Sequence, residues 1–298
     1  MTKPINEIIP RELDDDLAKV LNSKANELEE IVNYGSNIIA WDLDRADGSD
    51  EDLPPVLFLR NFLESIDAIS LLVRFSAIEP CRSILRTALE NLFYLEYILQ
   101  DDMKNRSLAF WVWDIIHTSK LLSKADPTSN GYHDLLNKYK KDKMMRKITP
   151  TVLSNSNTIK EKNERILLLP KFQSIKQEYD RIAVKFKKPP SWYTLFDGPK
   201  NIEEMANRVE LGAVYEILYR NWSSSIHGTN IINGKIKINR DGQAEIIQLR
   251  DPKDVESICL NCSNLCMMVF KNYVTKRMPH NMPNFLNWSV QIRIFNKM

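Results

Sequence analysis

The stretch "YRNWSSSIHG", residues 219–228, places an arginine, a row of hydroxyls and a histidine within two turns of a helical apolar pattern. Seven residues of α-helix cover about 700°, close to two full turns, so Arg220 and His227 are expected on one face roughly 10 Å apart along the axis. Ser224 falls between them on that face. A titratable imidazole, a permanent cation and hydroxyls together suit a phosphodiester. The same residues also fit a plainer account, in which Arg220 pairs with an acidic neighbour and His227 caps a helix end beside Gly228.

A second candidate lies upstream in "CRSILRTALENLF", where Arg82, Arg86 and Glu90 recur every four residues on an otherwise apolar helix. Arg86 and Glu90 form an i,i+4 ion pair in any helix. If the helix is buried, they also need a strong partner, and the Arg220 and His227 face is the expected one. The basic run "KYKKDKMMRK" offers Lys138, Lys140 and Lys141 to a nucleic-acid backbone, with solvated surface as the alternative. "SWYTLF" brings aromatics that stack unpaired bases or anchor a loop. Cys259, Cys262 and Cys266 form one helical stripe and read as small buried hydrophobes, since a regular helix does not wrap three thiolates round one ion. His117 reads as a packing residue, and neither His133 nor His280 has a constellation around it. No metal ligand set and no cofactor is expected.

The elements that must position these residues are helical. Only 8 glycines occur in 298 residues, and long segments repeat apolar residues at spacings of three and four. A first helix is expected from about Arg11 to Trp41, fading into "DRADGSDEDLPP". Two further helices follow, one after Pro54 and Pro55 and one with Pro80 in its first turn; a fourth starts after Asp101 and Asp102 and ends at "DPTSNG". Weaker, basic helical pieces broken at Pro170 make 130–190 an insertion. Helical periodicity resumes over "NIEEMANRVELGAVYEILYRNWSSSIHG", "KIKINRDGQAEIIQLR" reads as a short β-hairpin round Asp241 and Gly242, and a last strong helix spans about Pro252 to Val274. The fold class is therefore mostly α: an arm over 1–52, a helical domain over 53–276 and a tail over 277–298.

A formal net charge of +2 supplies no global field for nucleic acid. Without an apolar leader, a membrane-spanning run or a dispersed set of cysteines, the chain is expected to be cytoplasmic with reduced thiols and no membrane contact. P-loop, nucleophile-elbow, zinc-helix and dinucleotide fingerprints are missing from the sequence, which gives no support to those enzyme classes.

The arrangement "RNWSSSIH" resembles the R-x(4–6)-H signature of the HEPN superfamily of helical nucleotide-binding domains. The wider pattern, "CRSILRTALENLFYLEYIL" upstream and "SWYTLFDGP…EEMANRVELGAVYEILYRNWSSSIHG" downstream, is similar over about Pro55 to Val274 to bacterial helical proteins allied to HEPN domains and associated with phage defence. The resemblance implies a HEPN-like helical bundle and metal-independent cleavage of RNA. Arg220 would hold the phosphate, His227 would move the proton and Asn221 would be the polar residue after the arginine; on the reading of the residues themselves, Ser224, Arg86 and Glu90 support that site. It also implies a homodimer pairing two such faces, and a regulatory partner protein. A six-residue spacing is the long limit of the signature, and the 130–190 insertion is foreign to a minimal bundle. Two further classes stay open: a helical module that binds a nucleotide or protein without catalysis, and an antitoxin or scaffold.

Overall fold

The computed structural model describes residues 13–45, 49–143, 156–222 and 235–295, with the backbone alone at 156–157 and 293–295. The chain is mostly α with one small antiparallel hairpin. By packing, it divides into two units. One comprises 1–49, 55–101 and 202–298; the other comprises 50–54 and 102–201.

The first unit contains helices α1 (Asp15–Arg45), α2 (Leu53–Arg74, from residue 55 onward) and α3 (Ile78–Leu99). Short helix α8 (Ile202–Arg208) follows, then the turn α9 (Gly212–Val214), and last the long α10 (Val255–Arg277) and α11 (Met282–Phe295). Helix α1 is amphipathic: Leu21, Ala25, Leu28, Ile31 and Ile38 are fully buried at helical spacing, the arrangement expected of a helix facing a core. It packs along α10. Within that contact the buried Asp42 carboxylate accepts from Tyr273 Oη (2.6 Å) and Arg277 Nε (2.5 Å), and Arg45 closes its other oxygen at 2.8 Å. A buried carboxylate needs such partners, because an uncompensated charge there costs several kcal/mol.

The aromatic segment 277–298, read as a tail, contains α11, and Trp288 stacks on Tyr34 of α1 with ring centroids 3.8 Å apart. The hairpin pairs β1 (Ile236–Ile238) with β2 (Ala244–Ile246) in antiparallel register, Ile236 opposite Ile246. Its turn is held by Asn239, whose side-chain oxygen accepts from the Asp241 and Gln243 amides, and by Gly242 at φ +77°, a conformation glycine adopts at little cost.

In the second unit, α4 (Met103–Ala125) and α7 (Pro170–Phe186) build a core of Leu108, Val112, Phe172, Ile175 and Tyr179, against which α6 (Ser156–Leu167) packs Ile166 and Leu167, while α5 (Asn130–Lys138) packs on α4 without a buried residue of its own. Pro170 opens α7, where a missing N–H is no loss. Among the described residues, no helix is long and apolar enough to cross a membrane.

Candidate functional site

Helix α3 presents Arg86, Glu90 and Phe93 at i, i+4 and i+7, a single stripe. Arg86 and Glu90 pair at 2.9 Å within the helix. They also share a partner from 129 or more residues away: Arg86 Nη2 donates to Tyr219 Oη at 2.6 Å, and Tyr219 Oη donates to Glu90 Oε1 at 2.7 Å. The Arg86 guanidinium lies 4.4 Å from the centre of the Tyr219 ring, so the cation meets both the hydroxyl and the π-face of one side chain. Burial and the Glu90 carboxylate push the Tyr219 phenol well above its ordinary pKa, keeping the hydroxyl protonated and able to donate. Arg82, the next rung of the stripe, turns instead to Asp254 at 2.7 Å.

Tyr219 reaches α3 because the helix that carries it changes pitch. After α8, the chain breaks at Glu210, held at φ +61°, restarts at α9 and winds as a π-helix over Tyr215–Tyr219. The Arg220 amide donates to the Tyr215 carbonyl, the i→i+5 bond of that form. Such single-turn π segments are rare and concentrate at functional positions. Here the wider turn sets the Tyr215 and Tyr219 rings face to face, 5.1 Å apart and 22° from parallel, with Phe93 against both.

Arg220 follows directly. Its side chain is 56% exposed; Nη1 meets Glu216 at 3.0 Å, Nη2 meets Glu203 of α8 at 3.5 Å, and its guanidinium carbon lies 5.7 Å from the Tyr215 ring centre. Asn221 is exposed beside it. Ser224, His227 and Gly228 lie outside the described residues.

The intrahelical bridge between Arg86 and Glu90 is present, and their long-range partner is Tyr219, the residue before Arg220, where the Arg220 and His227 face was expected. The i,i+4 spacing of Glu216 and Arg220 was visible in the sequence; the Tyr219 contact, which depends on the π turn, had no local signal.

The remaining candidates stand as follows. Lys138 ends α5 with its ammonium 5.3 Å from the Tyr139 ring, and Lys140 and Lys141 are exposed in the turn after it; all three belong to the second unit. Trp192 is buried edge-on against Phe110 at 5.8 Å, which is loop anchoring, while Phe196 is exposed. His117 stacks on Trp113, 5.0 Å away and 9° from parallel, but it is exposed and not the half-buried packing residue expected. Cys81, Cys259, Cys262 and Cys266 are all buried as free thiols, and burial pushes Cys81 and Cys259 up to about 12. Thiols so hard to ionise behave as small apolar side chains.

The model of a family of unknown function, DUF5677, matches residues 52–244. The chain belongs to that family. The DUF5677 stretch opens beside the first residue of α2 and closes at the start of β2, so it takes in Arg86, Glu90, Tyr215, Tyr219 and Arg220 together with Ser224 and His227. It also includes 102–201 of the second unit, so the family shares more than the helices around Arg220. No curated protein and no solved structure matches the DUF5677 chain.

Proposed function

We propose that the protein is a metal-independent endoribonuclease of HEPN type, acting in defence or growth arrest through Arg220 and His227. The observation that carries this reading is the setting of Arg220. Its guanidinium is exposed where the R-x6-H sequence begins, and it is steadied by Glu216, Glu203 and the Tyr215 ring. A planar fork held in one orientation is suited to two phosphate oxygens, and its positive charge opposes the charge that grows on phosphorus.

In this mechanism the 2′-hydroxyl of the substrate attacks the adjacent phosphorus while His227 takes its proton. The bond to the 5′-oxygen breaks, that oxygen takes a proton from water as it leaves, and a 2′,3′-cyclic phosphate remains. Asn221 and Ser224 contribute hydrogen bonds beside the phosphate, Arg86 and Glu90 hold the supporting helix, and Lys138, Lys140 and Lys141 attract the RNA backbone. Two copies pair their faces as a homodimer in the cytoplasm, under control of a regulatory partner protein.

Incubating wild type, His227→Ala and Arg220→Lys with total RNA in chelator, and mapping the new ends, tests the reading. Wild type is expected to cut RNA but not DNA and to leave cyclic phosphate ends; both variants should be inactive with unchanged melting. Cleavage that needs a divalent ion, or that survives in His227→Ala, overturns it.

A second reading, a helical module that binds a nucleotide or protein without catalysis, is favoured by one observation. Two carboxylates already engage Arg220, which offsets part of the attraction for a phosphate. RNA or nucleotide binding with no cleavage by wild type would select it.

A further inference from the structure

The π turn at Tyr215–Tyr219 is a choice the backbone does not make unaided. Relaxation of the turn to α geometry would remove the extra residue and rotate everything after it by about 100°, the share of one residue in a 3.6-residue turn. Arg220 is the first residue downstream, so the π form decides where its guanidinium points.

The contacts that hold the form converge on one side chain. Tyr219 accepts from Arg86 at 2.6 Å, donates to Glu90 at 2.7 Å, lies under the Arg86 guanidinium and is packed by Phe93, all on one stripe of α3. It stacks in turn on Tyr215, whose ring supports Arg220. Contacts therefore run from α3 through two rings to Arg220, and Tyr219 is the joint that meets α3 with hydrogen bonds.

We propose that Tyr219 is a positioning residue: by locking the π turn to α3, its hydroxyl sets the direction in which Arg220 is presented, whatever ligand Arg220 receives. It touches no substrate itself, and the inference does not depend on ribonuclease activity.

The test uses the full-length protein without RNA, with 15N-labelled arginine. The side-chain Nε–H signal of Arg220 is assigned by its disappearance in Arg220→Lys. In wild type this signal should be displaced by the Tyr215 ring. In Tyr219→Phe, which keeps both rings but removes the two hydroxyl bonds, it should move to the position of a solvent-exposed arginine. Tyr273→Phe serves as control: it deletes a buried hydroxyl bonded to Asp42 and should lower stability while leaving the Arg220 signal in place. Glu90→Gln, which weakens the acceptor for the Tyr219 proton, should move the signal in the same direction. An unshifted Arg220 signal in Tyr219→Phe, or an equal shift in Tyr273→Phe, overturns the proposal. If Tyr219→Phe does not fold, Glu90→Gln decides by the same signal. Loss of cooperative melting in both variants would make the cluster a folding element and overturn the proposal as well.

Discussion

Glu96 is a carboxyl group set between helices where water hardly reaches. The residue is 9% exposed on α3, and the Asn272 amide of α10 donates to both of its carboxylate oxygens at 3.2 Å. Burial outweighs this bond and the nearby Lys276, raising the pKa from the usual 4.5 to about 7. A raised carboxyl pKa means that the folded chain holds its proton where the unfolded chain has lost it. The associated stability is therefore fully present below about pH 4.5 and is lost as pH rises through 7, a drop on the order of 3 kcal/mol. Urea melts of wild type and Glu96→Gln from pH 4 to 8 check this: the variant should lack that part of the pH slope and should be the more stable protein at pH 8. Parallel slopes would mean that Glu96 titrates normally.

At the same scale, the contrast between Arg86 and Arg220 shows how neighbourhood sets the role of a residue type. Arg86, 21% exposed, is spent on Glu90 and Tyr219, whereas Arg220, 56% exposed, has its charge at the surface. The first is suited to hold geometry and the second to meet a ligand.

Helices in this protein approach closely where a side chain is missing. Gly35 of α1 is buried, and a Cβ placed there would lie 2.6 Å from Leu63 Cδ2 and 2.7 Å from Phe270 Cζ. Helix propensity alone predicts that Gly35→Ala gains about 1 kcal/mol. Overpacking opposes this gain at a typical cost of about 1–3 kcal/mol, and the upper end applies because the side-chain ends it meets belong to buried core residues with little room to give. A net loss of about 1–2 kcal/mol is expected, read as a lower denaturation midpoint with an unchanged slope. A stabilised variant would show that α2 or α10 shifts readily.

The hairpin is an element of another kind. Every residue of its two strands is exposed, so cross-strand bonds and the Asn239–Gly242 turn hold it, and its side chains contribute little buried surface.

Across the whole molecule, two units each have an apolar core, and a balanced charge leaves recognition to local groups. Phe172 sits 1% exposed in the core of the second unit. Phe172→Ala should cost about 3–5 kcal/mol through the cavity it leaves. Since stability is distributed by local packing, hydrogen exchange should speed first in α4 and α7, with α1 and α10 less affected. Uniform acceleration across both units would show instead that they unfold as one.

The mostly α class, most helix positions, the hairpin with its Gly242 turn, the Arg86–Glu90 bridge and the buried cysteine stripe were all determined by the sequence alone. Each depends on residues a few positions apart, and period, proline placement and turn chemistry are local properties. Tertiary structure decided what local pattern does not contain. The burial of Asp42 and Glu96 depends on which helices pack together, and the helix at the end of the chain gains its contact by stacking Trp288 on Tyr34. The break at Glu210 and the π turn after it interrupt what reads as one continuous helix. Tyr219 meets Arg86 across 133 positions because the fold brings α3 beside that turn, and hydrogen bonds formed there offset the cost of the unusual pitch. The preference of a single residue for its own conformation carries no record of a partner so far along the chain.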